Sequence, residues 1–83
     1  MSDSKNNTDF DFVPSWAGAI APGKIIMVGK DKSNRPVWAK VTSNKAVGYG
    51  LCEPVLEISY RLLVNGEEGS DQFYEGEEVI VGS

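Results

Sequence analysis

A chain with one cysteine, Cys52, and no histidine has few routes to covalent or acid–base chemistry. A serine or cysteine nucleophile needs a neighbouring base, and the imidazole that usually serves is missing. Zinc-type sites are built from histidines and paired cysteines, which this chain lacks. Cys52 therefore reads as a small buried hydrophobe. Asp31, Ser33 and Asn34 are rich in oxygen. They lack the alternating ligands and terminal glutamate of a calcium loop, so they read as a turn. The scattered glycines match turns, not a phosphate loop or a dinucleotide fingerprint. What remains is aromatic: Phe10, Phe12, Trp16, Trp38, Tyr49, Tyr60, Phe73 and Tyr74. A domain this small needs most of them for burial, and Trp38 and Tyr74 are the two expected on a face that binds a ligand or another subunit.

The elements that must position these side chains are short strands. Lys24–Val28 is β-branched and bounded by glycines. Val37–Thr42 alternates, with Val37, Ala39 and Val41 on one face and Trp38, Lys40 and Thr42 on the other. Ser43–Lys45 is turn-like, and Ala46–Cys52 is a further strand in which Gly48 and Gly50 imply a bulge or a close backbone approach. Val55–Val64 has the clearest pattern, setting Leu56, Ile58, Tyr60, Leu62 and Val64 against Glu57, Ser59 and Arg61. Asn65-Gly66 predicts a type I′ hairpin turn into a strand over Glu68–Tyr74. Val79–Val81 is the last strand. No segment has a helical period.

These elements predict an all-β domain: a small, strongly bent, five- or six-stranded barrel of the Src-homology-3 (SH3) type, spanning residues 12–83. Closure would pair the last strand with the Lys24–Val28 strand and remove exposed edges. Residues 1–11 are polar and aperiodic and predict a disordered tail, with Trp16 anchoring its end to the barrel.

The 83 residues form one domain. At this size a chain buries only about 60% of its unfolded surface, and disulfides, metals or oligomerisation are the usual compensations. One cysteine excludes an internal disulfide, so oligomerisation is the one left open. A net charge of −4 argues against nucleic acid, whose phosphates call for a basic patch. The acidic residues concentrate late, at Glu67, Glu68, Asp71, Glu75, Glu77 and Glu78. They form either a solvated surface or a docking face for a basic protein. No apolar run is long enough to span a bilayer and no signal peptide is visible, so the expected location is the cytoplasm, without membrane contact.

The stretch Gly69-Ser70-Asp71-Gln72-Phe73-Tyr74 resembles the active-site strand of the type II, plasmid-borne dihydrofolate reductases, whose motif is serine followed by Val-Gln-Ile-Tyr. Phe12-Val13-Pro14-Ser15, Gly23, Trp38 and Gly48-Tyr49-Gly50-Leu51 are similar to further fragments of that family. Asp71 stands where the family has valine, and Phe73 where it has isoleucine. The family consists of small barrels, four of which enclose one pore. The resemblance implies that Ser70, Gln72, Phe73 and Tyr74 line such a pore. Gln72 would stack and hydrogen-bond with NADPH and folate, Phe73 would present backbone groups, and Tyr74 would contact the phosphate-bearing end of the cofactor. Proximity and orientation would drive hydride transfer. From the residues themselves the leading expectation is a binding or assembly module, a homo-oligomer or the companion of another protein, with no cofactor. Its candidate ligand-binding residues are Ser70, Gln72, Phe73, Tyr74 and Trp38. The NADPH-dependent reductase is one alternative, and an acidic adaptor or inhibitor docking on a basic protein is another.

Overall fold

The computed structural model describes residues 10–83. The elements are β1 (Phe12–Trp16), a 3₁₀ turn (Ala17–Ala19), β2 (Ile25–Lys30), β3 (Pro36–Gly50), β4 (Glu53–Leu62), β5 (Glu68–Tyr74) and β6 (Glu78–Gly82). All six strands join one antiparallel sheet in the order β1-β6-β2-β3-β4-β5. The all-β expectation holds, and the last strand pairs with Ile25 and Ile26 of β2 as predicted. No helix among the described residues is long and apolar enough to cross a membrane.

The inner face follows from strand alternation. Ile26, Val41, Leu56, Ile58 and Val79 point to it from four strands and are all buried. Ala17 and Ile20 close over this cluster, with Val28, Phe73 and Val81 packed partly against it. Trp16 is 61% exposed, so the anchor after β1 is Ala17 and Ile20 and not the indole. The 3₁₀ turn is tied down from two sides. Gly18 N–H donates to the Glu75 carbonyl at the end of β5, and the Asn44 side-chain amide donates to the Ala17 and Ile20 carbonyls at 3.0 and 2.7 Å.

Three local expectations change. Ser43–Lys45 is not a turn: β3 runs through it as one 15-residue strand, with register shifts after Val41 and Ala46. The second shift is the bulge expected at Gly48. At about 3.3 Å per residue a straight strand of this length spans about 50 Å, comparable with the 48 Å long axis of the molecule. The chain reverses instead at Leu51-Cys52, where Leu51 takes φ +51°. Cys52 is exposed in this turn, not buried. Asn65-Gly66 is not a type I′ turn, because only Gly66 has positive φ, +75°. Leu62 N–H donates to the Glu67 carbonyl, so the hairpin loop holds four residues, and Asn65 Oδ1 accepts the Glu67 N–H at 2.9 Å. The Asp31–Asn34 turn is present as read. Asp31 Oδ1 accepts the N–H groups of Ser33 and Arg35, and these hydrogen bonds, led by Arg35, lower its carboxyl below the ordinary 3.8.

The expected tail over residues 1–11 lies, for 1–9, outside the described residues. Phe10 and Asp11, just before β1, are tied to the sheet. Asp11 and Ser83 exchange two backbone hydrogen bonds of 3.0 Å, extending the β1–β6 ladder. Phe10 and Phe12 set their rings edge-on to Trp38, with centroids 5.3 and 5.4 Å away.

Candidate functional site

The strand that carries four of the five candidate residues is β5, at one end of the sheet. Its register against β4 decides which way each side chain points. Leu56 faces Phe73, Ile58 faces Asp71 and Tyr60 faces Gly69, so these β5 residues lie on the inner face. Glu57 faces Gln72, Ser59 faces Ser70 and Val55 faces Tyr74, so Ser70, Gln72 and Tyr74 share the outer face. Pairing of β3 with β4 adds Lys45 opposite Glu57 and Ser43 opposite Ser59. The outer face thus carries two polar rows, Lys45–Glu57–Gln72 and Ser43–Ser59–Ser70. Tyr74 stands at one end of them, and its ring covers Gly50, where a Cβ would meet Tyr74 Cε1 at 2.8 Å. The close approach expected at Gly50 is this contact.

Gln72, Phe73 and Tyr74 line one cleft of about 240 Å³ with Val55 and Glu77. Ser70 lines a neighbouring one of about 400 Å³ with Thr42, Ser59, Arg61 and Glu68, among others. Phe73 is only half available, being packed against the inner cluster. Trp38 joins neither group. It is 1% exposed, capped by Phe10 and Phe12 and pressed over Gly82, so its place on the outer face is a packing position and not an open surface. Its Nε1 has no hydrogen-bond partner among the described residues.

The backbone of β5 adds to the site. Glu75 N–H donates to the Pro54 carbonyl and Leu62 N–H to the Glu67 carbonyl. Odd-numbered residues of β5 therefore turn their backbone groups toward β4, and even-numbered ones turn theirs to the open side. Tyr74 is closed off there, because its N–H donates to Glu77 Oε1 at 3.2 Å and its carbonyl accepts the Glu77 N–H. Ser70 and Gln72 keep both backbone groups free of strand partners, in the same place where their side chains are exposed.

Asp71, the charge within the motif, has a hydrogen-bond partner on the neighbouring strand. The Tyr60 hydroxyl donates to Asp71 Oδ2 at 2.9 Å. Partial burial, then the carboxylate, raise the Tyr60 phenol above its ordinary 10.0. Arg61 pairs with Glu68 at 2.7 Å, both exposed, which contributes little to stability. Sequence reasoning missed Val55, Glu57, Glu77 and Lys45 as neighbours of the site. Their only signal was the register of two hairpins. Comparison of the chain with known protein families, with curated proteins and with solved structures finds no match.

Proposed function

We propose that this chain works by binding, as a homo-oligomeric β-barrel module of the cytoplasm that holds its ligand against β5 through Ser70, Gln72 and Tyr74. The observation that carries this reading is the coincidence at Ser70 and Gln72 of exposed side chains with backbone donors and acceptors that no strand satisfies. An edge of this kind recognises extended or planar polar groups by main-chain hydrogen bonds, and neighbouring side chains set the choice. Tyr74 supplies an aromatic wall and Gln72 an amide that both donates and accepts. Light scattering across a concentration series tests the assembly half, for which a stable oligomer is expected. A monomer at every concentration overturns it.

A second reading, the NADPH-dependent dihydrofolate reductase, draws support from one observation: Gln72, Phe73 and Tyr74, the residues that resemblance points to, line a single cleft. Gln72→Ala should abolish NADPH-dependent dihydrofolate reduction while leaving the circular dichroism spectrum unchanged. Absence of reduction by the unaltered protein ends this reading and leaves the binding module.

A further inference from the structure

Two like charges stand directly opposite one another in the middle of the sheet. Lys40 of β3 pairs with Arg61 of β4, and Arg61 pairs with Glu68 of β5, so one row across three strands reads Lys40–Arg61–Glu68. Directly opposite residues hold their Cβ atoms about 4.5–5.5 Å apart on one face, and like charges placed there destabilise the pair. Glu68 answers only one of the two cations. It accepts from Arg61 Nη2 at 2.7 Å, the one ion pair among the described residues. Among those residues the Lys40 ammonium has no carboxylate partner, and its neighbour on the other flank is Ile25. In a chain of net charge −4, a row that keeps an unanswered positive charge departs from its surroundings, and such departures concentrate at functional sites.

The row borders a cleft of about 450 Å³, a size that holds a small molecule. Lys40, Arg61 and Thr42 give this cleft two cations and a hydroxyl, and Leu62, Leu63 and Gly66 line it beside them. Leu62 and Leu63 are only half-buried, so they leave apolar surface in its wall. Thr42 is the extra residue of the bulge between the Val41–Tyr60 and Ser43–Ser59 pairs. A bulge re-aims a side chain, and bulges are frequent beside active sites. Thr42 is exposed, and with Arg61 it also lines the neighbouring cleft that holds Ser70.

We propose that this cleft binds a small molecule with one negative charge on an apolar body, of the class of the short-chain carboxylates. Two cations and one anion give the row a sum of +1, which matches a monoanion better than a phosphate dianion. The carboxylate sits between the Lys40 ammonium and the guanidinium nitrogens that Glu68 leaves free, with the Thr42 hydroxyl as a further donor. The tail lies along Leu62 and Leu63. The bound anion answers the charge that the fold leaves on Lys40. This goes beyond the β5 reading, because Gln72 and Tyr74 line a different cleft, and it holds at any subunit number.

Titration of the full chain with sodium hexanoate near neutral pH, followed in the ¹H–¹⁵N NMR spectrum, tests the site. Saturable shifts are expected at Thr42, Leu63 and Gly66. 1-Hexanol has the tail without the charge, and inorganic phosphate has the charge without the tail. Each should bind at least about tenfold more weakly than hexanoate. Lys40→Glu changes an exposed residue, so the fold should persist by circular dichroism. It should abolish the hexanoate shifts. It should also raise the urea midpoint without ligand, because a like-charge pair becomes an opposite one. Lys32→Glu makes the same change of net charge at an exposed position in the β2–β3 loop, and should bind hexanoate as the parent does. The proposal is overturned if hexanoate causes no saturable shifts at these residues, or if hexanol or phosphate matches it. It is equally overturned if Lys32→Glu loses binding as Lys40→Glu does, or if Lys40→Glu lowers the urea midpoint, since the fold itself would then satisfy the Lys40 charge.

Discussion

Gly50→Ala should move Tyr74 without moving the fold. A Cβ on Gly50 would lie 2.8 Å from Tyr74 Cε1, 3.1 Å from its hydroxyl and 3.2 Å from Val55 Cγ2. Ordinary contact begins near 3.4 Å, so the ring edge must retreat by about 0.6 Å or more. Tyr74 is 39% exposed and can swing toward solvent, at about 0.5–1.5 kcal/mol if it leaves its rotamer well. Gly50 does not have positive φ, so alanine fits its backbone and stabilises by about 0.4–1 kcal/mol through the unfolded chain. The two effects nearly cancel. Urea midpoints of the parent and Gly50→Ala should agree closely, while the Tyr74 ring protons shift in the NMR spectrum and any ligand held by Tyr74 binds more weakly. Ring resonances identical to those of the parent would refute the placement of Tyr74 over Gly50, and with it the wall of the cleft.

Asn44→Ala removes both hydrogen bonds that hold the 3₁₀ turn to β3, and should cost about 1–3 kcal/mol, read as a lower urea midpoint at unchanged slope. Gly82→Ala puts a Cβ 3.0 Å from both Trp38 Cζ3 and Phe10 Cβ, and should destabilise by about 1–3 kcal/mol, with a change in tryptophan fluorescence. The raised Tyr60 phenol holds its proton more tightly in the folded state, so its contribution is fully present below the unfolded value of 10.0 and is lost as pH rises through the higher folded value. Stability measured from about pH 9 to about pH 11 should fall less steeply in Tyr60→Phe than in the parent.

Much of this arrangement was legible in the chain. The alternation from Leu56 to Leu62 identifies β4, and the β5 bounds Glu68–Tyr74 are those read from the residues. The faces of β5 survived a wrong turn for a physical reason. A two-residue Asn65-Gly66 turn would set Ser59 opposite Gln72, whereas the four-residue loop sets Glu57 there. The offset is two residues, one full strand period, so the outer face stays outer while each partner changes. Ser43–Lys45 looked like a turn because its residues are polar. Asn44 is polar in order to reach carbonyls 24 and 27 residues away, and no local pattern carries that information. Trp38 looked available because its strand alternates cleanly. Its cover comes from Phe10 and Phe12, and Phe10 lies in a segment whose composition otherwise reads as tail.

The reciprocal bonds between Asp11 and Ser83 have a mechanical consequence. β1 and β6 are antiparallel, and the ladder begins at this pair, continuing through Phe12–Gly82 to Trp16–Glu78. A load applied at residues 11 and 83 therefore meets the ladder one rung at a time, as a zipper, and never loads all its rungs in parallel. Its first rungs carry the tryptophan's cover with them, since Phe10 precedes the pair and Phe12 forms the next one. Pulled from these two points, the domain should yield at low force, with the indole brought into water at the first step.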